Sequence, residues 1–431
     1  MLAEFVRRHL RSLEPVAGPG DAARAARVDY LLAVADRTGP TELLSAYESI
    51  VHDRAAAHAG LDGVASGYAS MAELWDDVAR QEVGTSDRIL WDSYLNGHRV
   101  RVERALASAT GADTLLLTVS GMSAIDAVLT SALVPAGATV AVSDGAYFES
   151  ATYLDAQRRA GRVSVATFDP TSTASVGRAL ARADVLLLEP ADNAFPVREL
   201  DLAATAAVVR RVRPDVLVVV DTSLFGPAIP LSRLTGLFDR VVAVQSGSKY
   251  LTTRVSAGVV AADAQLGPVL RERVRQTGIG LPEAAVRLLV PGELASARER
   301  FDVQARGAQV LARAVDPRDW VSCRQPQVRL GDEVVRAPVL FLEPAPHTTP
   351  HVAAITDRWV RLAADDGGAL QVRAGFGWAL TTCRAYGADQ LNRPEGRSYV
   401  RVSVGLEPAA DLVRLGELLA ATTHDVLERA A

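Results

Sequence analysis

The segment RVVAVQSGSKY, at residues 240–250, indicates the fold of this 431-residue chain. It begins as a short apolar run typical of a buried strand and ends in a polar turn that contains Lys249. Ser246 and Ser248 flank Gly247 in this turn, and hydroxyl groups beside a flexible backbone suit a phosphate. An ordinary polar turn is the alternative interpretation.

Lys249 is the single lysine of the chain, although lysines and arginines together number 46. A nucleotide bias toward arginine codons is the simple cause of this imbalance. Arginine stays protonated, whereas a desolvated lysine can lose its proton and attack a carbonyl. Because arginine cannot take over such covalent chemistry, we predict that Lys249 is a nucleophile.

Short apolar runs alternate with amphipathic helical patterns on both sides of this segment. The predicted strands are TLLLTVS (114–120), ATVAVSD (138–144), RVSVATFD (162–169), ADVLLLEP (183–190), DVLVVVD (215–221) and RVVAVQSG (240–247). The predicted helices between them are VERALASATG (102–111), GMSAIDAVLTSALV (121–134) and DLAATAAVVRRVRP (201–214). This order predicts a mostly parallel sheet that is covered on both faces, with its chemistry at the carboxyl ends of the strands.

The two flanks of this region have other patterns. Residues 22–36 and 68–81 have apolar residues at helical spacing, and a helix start is predicted at Thr41 and Glu42. Beyond residue 290 we predict a long helix over 292–315. Strands within 337–344 and 398–406 and a terminal helix from Ala409 follow it.

Composition limits the function classes. With 49% hydrophobic residues and a formal net charge of -5, the chain is expected to fold, and no nucleic-acid surface is expected. Cys323 and Cys383 cannot form a disulfide framework, which favours a reducing, cytoplasmic location. The longest apolar runs have the length of buried strands, so we expect no membrane segment.

Two of the strand ends carry candidate binding groups. Asp221 ends a buried apolar strand, where a carboxylate is costly unless it is paired. A protonated pyridine nitrogen would be a suitable partner, and a helix cap or a metal carboxylate is the alternative. Ser120, Gly121 and Met122 join a strand to a helix start, where backbone N–H groups bind phosphate. Many helices also start this way without binding a ligand.

Three further residues are candidates for cofactor or substrate contacts. Asn193 can donate to a cofactor oxygen or belong to an ordinary turn. Tyr147 can stack on a pyridine ring or pack within a loop. Arg401 alternates with apolar residues on a predicted strand, where it can bind a substrate carboxylate or form a surface ion pair.

Together these motifs resemble those of the Cys/Met-metabolism pyridoxal-phosphate (PLP) enzymes. That family includes cystathionine γ-synthase, cystathionine lyases, methionine γ-lyase and O-acetylhomoserine sulfhydrylase. The resemblance runs from about residue 91 to the C-terminus. It rests on SGMSAI at 120–125, Glu189 and Asn193 in an E-x-P-x-N spacing, DTS at 221–223, SGSKY at 246–250, PGELASARER at 291–300 and VRVSVGLE at 400–407.

The resemblance implies an α/β protein with the type I, aspartate-aminotransferase-like fold of PLP enzymes. A mostly parallel seven-stranded sheet and a smaller α+β C-terminal domain are expected. The implied domains are a helical N-terminal arm or subunit contact at 1–95, a large PLP-binding domain at 96–295 and a small domain at 296–431. A homodimer or homotetramer is implied as well.

The resemblance also implies PLP as the cofactor, held by Lys249 as a Schiff base. Asp221 is expected at the pyridine nitrogen, Arg401 at the substrate α-carboxylate, and Tyr147 both beside the ring and among the catalytic residues. The other implied cofactor-binding residues are Ser120, Gly121, Met122, Asn193, Ser223, Ser246 and Ser248.

Several positions depart from the family pattern. The tyrosine and arginine that reach a neighbouring subunit's phosphate fall on Trp91 and Ser93, so this contact is expected to be altered or lost. His98 or Arg99 is a possible substitute. The segment after the lysine, at 252–256, is one residue shorter than in the family. The serine of its S-L-G-G turn aligns with Gly375.

The predicted function is γ-elimination or γ-replacement on an amino acid with a γ-leaving group. Activated homoserine, methionine-like compounds and S-adenosylmethionine are the substrate candidates, and carbon–carbon bond formation in natural-product biosynthesis is one specialised form. The alternatives are a β-eliminating C–S lyase, an aminotransferase or decarboxylase of the same fold, and a non-catalytic PLP-binding protein.

Overall fold

A computed structural model describes most of the chain. The described residues are 2–12, 21–58, 89–90, 95–193, 195–251, 255–289, 291–315, 320–344, 349–368, 370–373, 375–387 and 397–428. No helix in these ranges is long and apolar enough to cross a membrane.

The chain begins with helices that precede the main sheet. Their bounds, with those of a short hairpin and the next helix, are α1 (Leu2–Ser12), α2 (Asp21–Val34), α3 (Pro40–His58), β1 (Ile89–Leu90), β2 (Leu95–Asn96) and α4 (Gly97–Thr110). The predicted start near Thr41 is confirmed, since α3 begins at Pro40, where a fixed φ suits the first helical turn. The helix predicted at 68–81 lies outside the described residues.

A seven-stranded sheet is the centre of the molecule. Its strands are β3 (Thr114–Thr118), β4 (Thr139–Ser143), β5 (Ser164–Phe168), β6 (Val185–Leu188), β7 (Leu217–Asp221), β8 (Val241–Ser246) and β9 (Gly258–Ala262). Their spatial order is β3-β9-β8-β7-β6-β4-β5. Only β9 runs antiparallel to its neighbours, so the prediction of a mostly parallel, seven-stranded sheet is confirmed.

Helices cover both faces of this sheet. They are α5 (Gly121–Leu129), α6 (Phe148–Arg159), α7 (Thr173–Leu180), α8 (Leu202–Val212), α9 (Leu231–Thr235), α10 (Gly247–Tyr250), α11 (Gly267–Thr277) and α12 (Glu283–Val286), with a 3-10 turn at Gly226–Ala228. Along β7, Val218 and Val220 face one hydrophobic cluster, and Leu217 and Val219 face the other. This alternation explains why a strand buried on both faces reads as a continuous apolar run.

A second, smaller sheet follows the long helix α13 (Pro291–Ala314). The remaining elements are β10 (Trp320–Arg324), β11 (Gln327–Leu330), β12 (Glu333–Arg336), β13 (Val339–Pro344), α14 (Thr349–Asp365), β14 (Gln371–Val372), β15 (Thr382–Tyr386), β16 (Tyr399–Ser403) and α15 (Ala409–Glu428). Five of these strands pair in the order β10-β13-β16-β15-β14, while β11 and β12 form a hairpin. Helices α13, α14 and α15 share a hydrophobic cluster with one face of the small sheet.

The N-terminal helices pack beside the small sheet. Phe5, Leu44 and Tyr47 share a hydrophobic cluster with Leu380 and Leu406. The predicted domain boundaries at 95/96 and 295/296 stay predictions, and α13 runs across the second of them.

Candidate active site

One cavity of about 480 Å³ opens where the carboxyl ends of the parallel strands meet the small sheet. Every predicted site residue lines it. From the large sheet these are Ser120, Gly121, Met122, Tyr147, Asn193, Asp221, Ser223, Ser246, Ser248 and Lys249, and from the small sheet Arg401. Arg401 is more than 150 positions from Lys249 in sequence, yet both residues line the same cavity.

Lys249 lies in the short helix α10, directly after β8. Burial lowers the pKa of its amino group to about 8, and the positive charge of Arg401 acts in the same direction. Glu149 and Asp221 oppose this shift. A substantial fraction of the amine is consequently neutral near physiological pH, which is the form that bonds a carbonyl.

Asp221 occupies the end of β7, the strand next to β8. Its Oδ1 accepts a hydrogen bond of 2.8 Å from the backbone N–H of Ser223, which fixes the direction of the carboxylate. Burial raises the pKa of Asp221, while the hydrogen bonds from Ser223 and the charge of Lys249 oppose the rise. A cationic partner inside the cavity would stabilise the charged form.

Hydroxyl groups and a helix N-terminus converge in another part of the lining, formed by Ser120, Gly121, Ser246 and Ser248, which we call the anion cradle. The Oγ of Ser120 accepts from the backbone N–H of Ser123 at 3.0 Å and caps α5. The hydroxyl groups of Ser246 and Ser248 lie 2.8 Å apart. A Cβ added at Gly121 would lie 3.1 Å from the Cα of Ser246, closer than an ordinary van der Waals contact, so glycine favours the close approach of these two segments.

Tyr147 and Asn193 line the same cavity as the lysine and the carboxylate. The backbone N–H of Tyr147 donates to Oε1 of Glu189 at 2.8 Å, which holds the loop after β4 in place. Burial and the nearby Glu149 raise the pKa of the Tyr147 hydroxyl. Within the described residues, the buried Oδ1 of Asn193 has no hydrogen-bond partner, a situation that a bound polar group would relieve.

The small sheet supplies an aromatic and basic wall. The rings of Tyr386 and Tyr399 stack with centroids 5.1 Å apart, and the guanidinium of Arg401 lies 4.8 Å from the Tyr386 centroid. Arg384 and Phe376 complete this wall. The sequence did not identify Glu149, Phe376, Arg384 or Tyr386 as lining residues. The alternating polar positions of TCRAY, in β15, were the available signal for two of them.

The positions that depart from the family pattern either lie outside the described residues or contact other parts of the chain. Trp91, Ser93 and residues 252–254 lie outside the described residues. Arg99 is buried and donates to the carbonyl of Leu281 at 2.9 Å within its own chain. Nδ1 of His98 lies 3.2 Å from Oε1 of Glu283. Neither residue lines the cavity of its own chain, and their role as substitutes across a subunit contact stays a prediction.

The chemistry of the lining matches the groups that PLP presents. A partly neutral lysine can bond the aldehyde, and a buried carboxylate can pair with the pyridinium nitrogen. Serines and a helix N-terminus can bind the phosphate. No group of three metal-ligating side chains occurs among the described residues.

Comparisons with known proteins agree with this geometry. The sequence profile of the family described as "Cys/Met metabolism PLP-dependent enzyme" matches residues 66–323. The chain therefore belongs to this family, and PLP is its cofactor. The predicted family, fold type, cofactor and enzyme class are thereby confirmed. No curated protein sequence matches the chain.

Solved structures show the same fold at low sequence identity. Cystathionine γ-synthase from Xanthomonas oryzae pv. oryzae, in complex with aminoacrylate and cysteine, is 22% identical with a TM-score of 0.66, covering 78% of this chain and 88% of that one. For metB from Corynebacterium glutamicum the identity is 19%, the TM-score 0.65 and the coverages 77% and 87%. CalE6, a methionine γ-lyase from Micromonospora echinospora, is 21% identical with a TM-score of 0.62, and the match covers 76% of this chain and 87% of that one.

Proposed function

We propose that this protein catalyses γ-elimination or γ-replacement on an amino acid that carries a leaving group at its γ-carbon. Activated homoserine, methionine-like compounds and S-adenosylmethionine are the candidate substrates, and carbon–carbon bond formation is a specialised form of the replacement reaction. The observation that carries the proposal is the placement of Lys249, Asp221 and Arg401 around one cavity in a chain of this PLP family.

When bound, PLP supplies an electron sink that makes hydrogens next to the substrate amino group acidic. Arg401 would bind the substrate α-carboxylate and orient the α-hydrogen toward Lys249. The amino group of Lys249, whose pKa of about 8 leaves part of it neutral, would accept the α-proton, give it back within the cavity and, neutral again, accept a β-proton. Loss of the β-proton is the step that allows a γ-substituent to depart with its electron pair.

Tyr147 fits the role of a proton donor better than that of a base. Its raised pKa keeps the hydroxyl protonated across the physiological range. A hydroxyl held at the cavity wall can protonate a departing group. Asp221, one strand away from Lys249, would keep the cofactor's ring nitrogen charged.

The proposal includes a homodimer or homotetramer that acts on a small amino acid. The departures at Trp91 and Ser93 are the reason to expect an altered contact between subunits. Size-exclusion chromatography with light scattering would measure the assembly. A monomer that turns over substrate would exclude an essential subunit contact.

Cystathionine tests the reaction type because its products depend on the bond that breaks. Elimination at the γ-carbon gives cysteine, 2-oxobutyrate and ammonia, whereas elimination at the β-carbon gives homocysteine, pyruvate and ammonia. The PLP-loaded protein would also be incubated with O-acetylhomoserine, O-phosphohomoserine, methionine and S-adenosylmethionine, with Lys249→Ala as the control. We expect 2-oxobutyrate, or a replacement product when a nucleophile is added.

Three other results would each select a different function. Pyruvate without 2-oxobutyrate would identify a β-eliminating lyase. Amino transfer to an added keto acid would identify an aminotransferase, and release of carbon dioxide a decarboxylase. Lack of turnover with every compound, by protein that binds PLP, would identify a binding protein.

A further inference from the structure

Residues 375–379, which we call the covering segment, lie against Lys249 at two points. The buried ring of Phe376 lies over the amino group of Lys249. At Gly377 the chain has a φ of 86°, and a Cβ added there would overlap the carbonyl oxygen of Lys249. Because both contacts are close, a shift of the covering segment would change the surroundings of the proposed nucleophile.

Two hydrogen bonds hold the covering segment to the small sheet and to the long helix. The hydroxyl of Ser403, in β16, donates to the carbonyl of Gly375 at 3.2 Å. The Nε2 of Gln304, in α13, donates to the carbonyl of Trp378 at 2.6 Å. Both bonds use carbonyl oxygens of the segment, so its buried backbone N–H groups still need acceptors.

Helix α3 supplies an acceptor for one of these N–H groups. The backbone N–H of Ala379 donates to Oε1 of Glu48 at 3.1 Å. Ala379 is buried, and a buried N–H that loses its partner is costly. The bond to Glu48 therefore opposes any movement of the covering segment away from α3.

Packing keeps Glu48 beside the covering segment. Leu44 lies four residues earlier, on the same side of α3, and belongs to the hydrophobic cluster that contains Leu380 and Leu406. Helix α3 ends at His58, whereas the family profile matches residues 66–323. The contact with Ala379 is thus made by an element that precedes the matched region, and family membership alone does not assign a role to it.

We propose that Glu48 is a positioning residue, which holds the covering segment over Lys249 through its hydrogen bond to Ala379. Glu48 lies outside the lining of the cavity and acts only through the segment. A segment held in this way excludes water from the bond between PLP and the lysine. The inference rests on the proposed role of Lys249 as the PLP-binding residue and does not depend on the γ-reaction.

Hydrogen exchange tests the anchor itself. The PLP-loaded, full-length protein would be placed in deuterated water, and peptides that contain residue 379 would be followed by mass spectrometry. Glu48→Ala removes the acceptor, so the amide of Ala379 should exchange about tenfold faster than in wild type. Glu48→Gln keeps an acceptor oxygen and should stay within about twofold of wild type.

Reduction by cyanoborohydride tests the cover over Lys249. This reagent reduces the imine that joins PLP to the lysine, and the loss of visible absorbance gives the rate. We expect Glu48→Ala to be reduced about fivefold faster than wild type, and Glu48→Gln to regain the wild-type rate. Glu42→Ala, which removes an exposed carboxylate from the same helix, is the matched control and should leave both rates unchanged.

A second variant covers the case in which Glu48→Ala does not fold, as judged by circular dichroism. Glu48→Leu keeps an apolar side chain of similar bulk against the cluster but has no acceptor oxygen. It should show the same faster exchange and faster reduction as Glu48→Ala.

The combined results separate the inference from the proposal on which it rests. Faster exchange with an unchanged reduction rate would make Glu48 a structural anchor only and would overturn the inference. Equal acceleration in Glu48→Gln and Glu48→Ala would also overturn it, since the acceptor oxygen would then be irrelevant. Mass spectrometry of the reduced protein would locate the modified residue. A site other than Lys249 would contradict the role of the lysine itself.

Discussion

The amino group of Lys249 lies 5.1 Å from the centre of the Phe376 ring. The lysine lies in α10, directly after β8 of the large sheet, and the ring lies in the connection between β14 and β15 of the small sheet. A segment of the small sheet therefore lies against the proposed nucleophile. An aromatic face stabilises an ammonium ion, whereas exclusion of water destabilises it. Burial is the larger effect here, and the pKa of Lys249 falls to about 8.

This pKa predicts how the cofactor-free protein takes up PLP as the pH changes. Below pH 8 the amine is mostly protonated, and above it the neutral form that bonds the aldehyde predominates. The rate of uptake, followed by visible absorbance in a stopped-flow instrument, should therefore rise through about pH 8. Arg401→Gln removes a positive neighbour, so its profile should move to higher pH. A profile centred near the ordinary lysine pKa, or unmoved in this variant, would contradict the electrostatic account.

Asp221→Asn should stabilise the cofactor-free protein and weaken its binding of PLP. Burial raises the pKa of Asp221 in the cofactor-free fold, so its charged form above that pKa costs stability. The neutral amide keeps the acceptor for the N–H of Ser223, and the cofactor-free variant should unfold at a higher Tm at pH 7 than wild type. Its affinity for PLP should fall about tenfold because the charged partner of the ring nitrogen is lost.

The control for that pair of measurements is Asp215→Asn, since Asp215 is an exposed carboxylate just before the same strand. It should leave PLP affinity unchanged. A lower Tm together with unaltered PLP affinity in Asp221→Asn would show that Asp221 is only a structural carboxylate.

Arg401→Gln should act on substrate far more than on cofactor. A buried guanidinium that binds a carboxylate contributes a charge-assisted, bidentate contact, so KM should rise about ten- to hundredfold. The Kd of PLP, measured by equilibrium dialysis, should stay within about threefold of wild type, because the cofactor contacts proposed above do not include Arg401. A variant that loses PLP but keeps its KM would move Arg401 out of the substrate site.

Gly121→Ala tests the close approach that forms the anion cradle. The new methyl group would lie 3.1 Å from the Cα of Ser246 and push α5 away from the end of β8. We expect PLP affinity to fall about tenfold, as overpacking of this size predicts. Gly177→Ala, in α7, is the matched control, since its nearest neighbour would be Val208 at 3.5 Å. Similar PLP affinity in both variants would contradict the placement of the phosphate.

The large sheet and most of the cavity could be predicted because each parallel strand is an apolar run that ends at polar residues. Asp221 and Lys249 follow apolar runs, and the carboxyl ends of neighbouring parallel strands meet at one edge. Arg401 could be predicted as a site candidate because it alternates with apolar residues on a predicted strand. The confirmed terminal helix begins at Ala409, as predicted.

Other features depend on interactions that a single sequence does not display. The helix from Gly121 was predicted to reach Val134, but it ends at Leu129. The hydroxyl groups of Thr130 and Ser131 bond back to the carbonyls of Asp126 and Val128 and compete with further helical turns.

The strand β9 was missed for a related reason. Its run GVVAA is short, and its place between β3 and β8 is decided by pairing across the sheet. Tyr386 lines the cavity on β15, which pairs with β16 across a long connection, and Phe376 lies in the segment before β15.

Reduction with borohydride tests the central claim most directly, because it fixes the bond between PLP and the amine that holds it. The PLP-loaded protein would be reduced, digested and mapped by mass spectrometry, with Lys249→Ala treated in the same way. The account predicts one modified peptide, which contains Lys249, and none in the variant. A modified site elsewhere, or a Lys249→Ala variant that keeps both the attached PLP and its turnover, would contradict the assignment of Lys249.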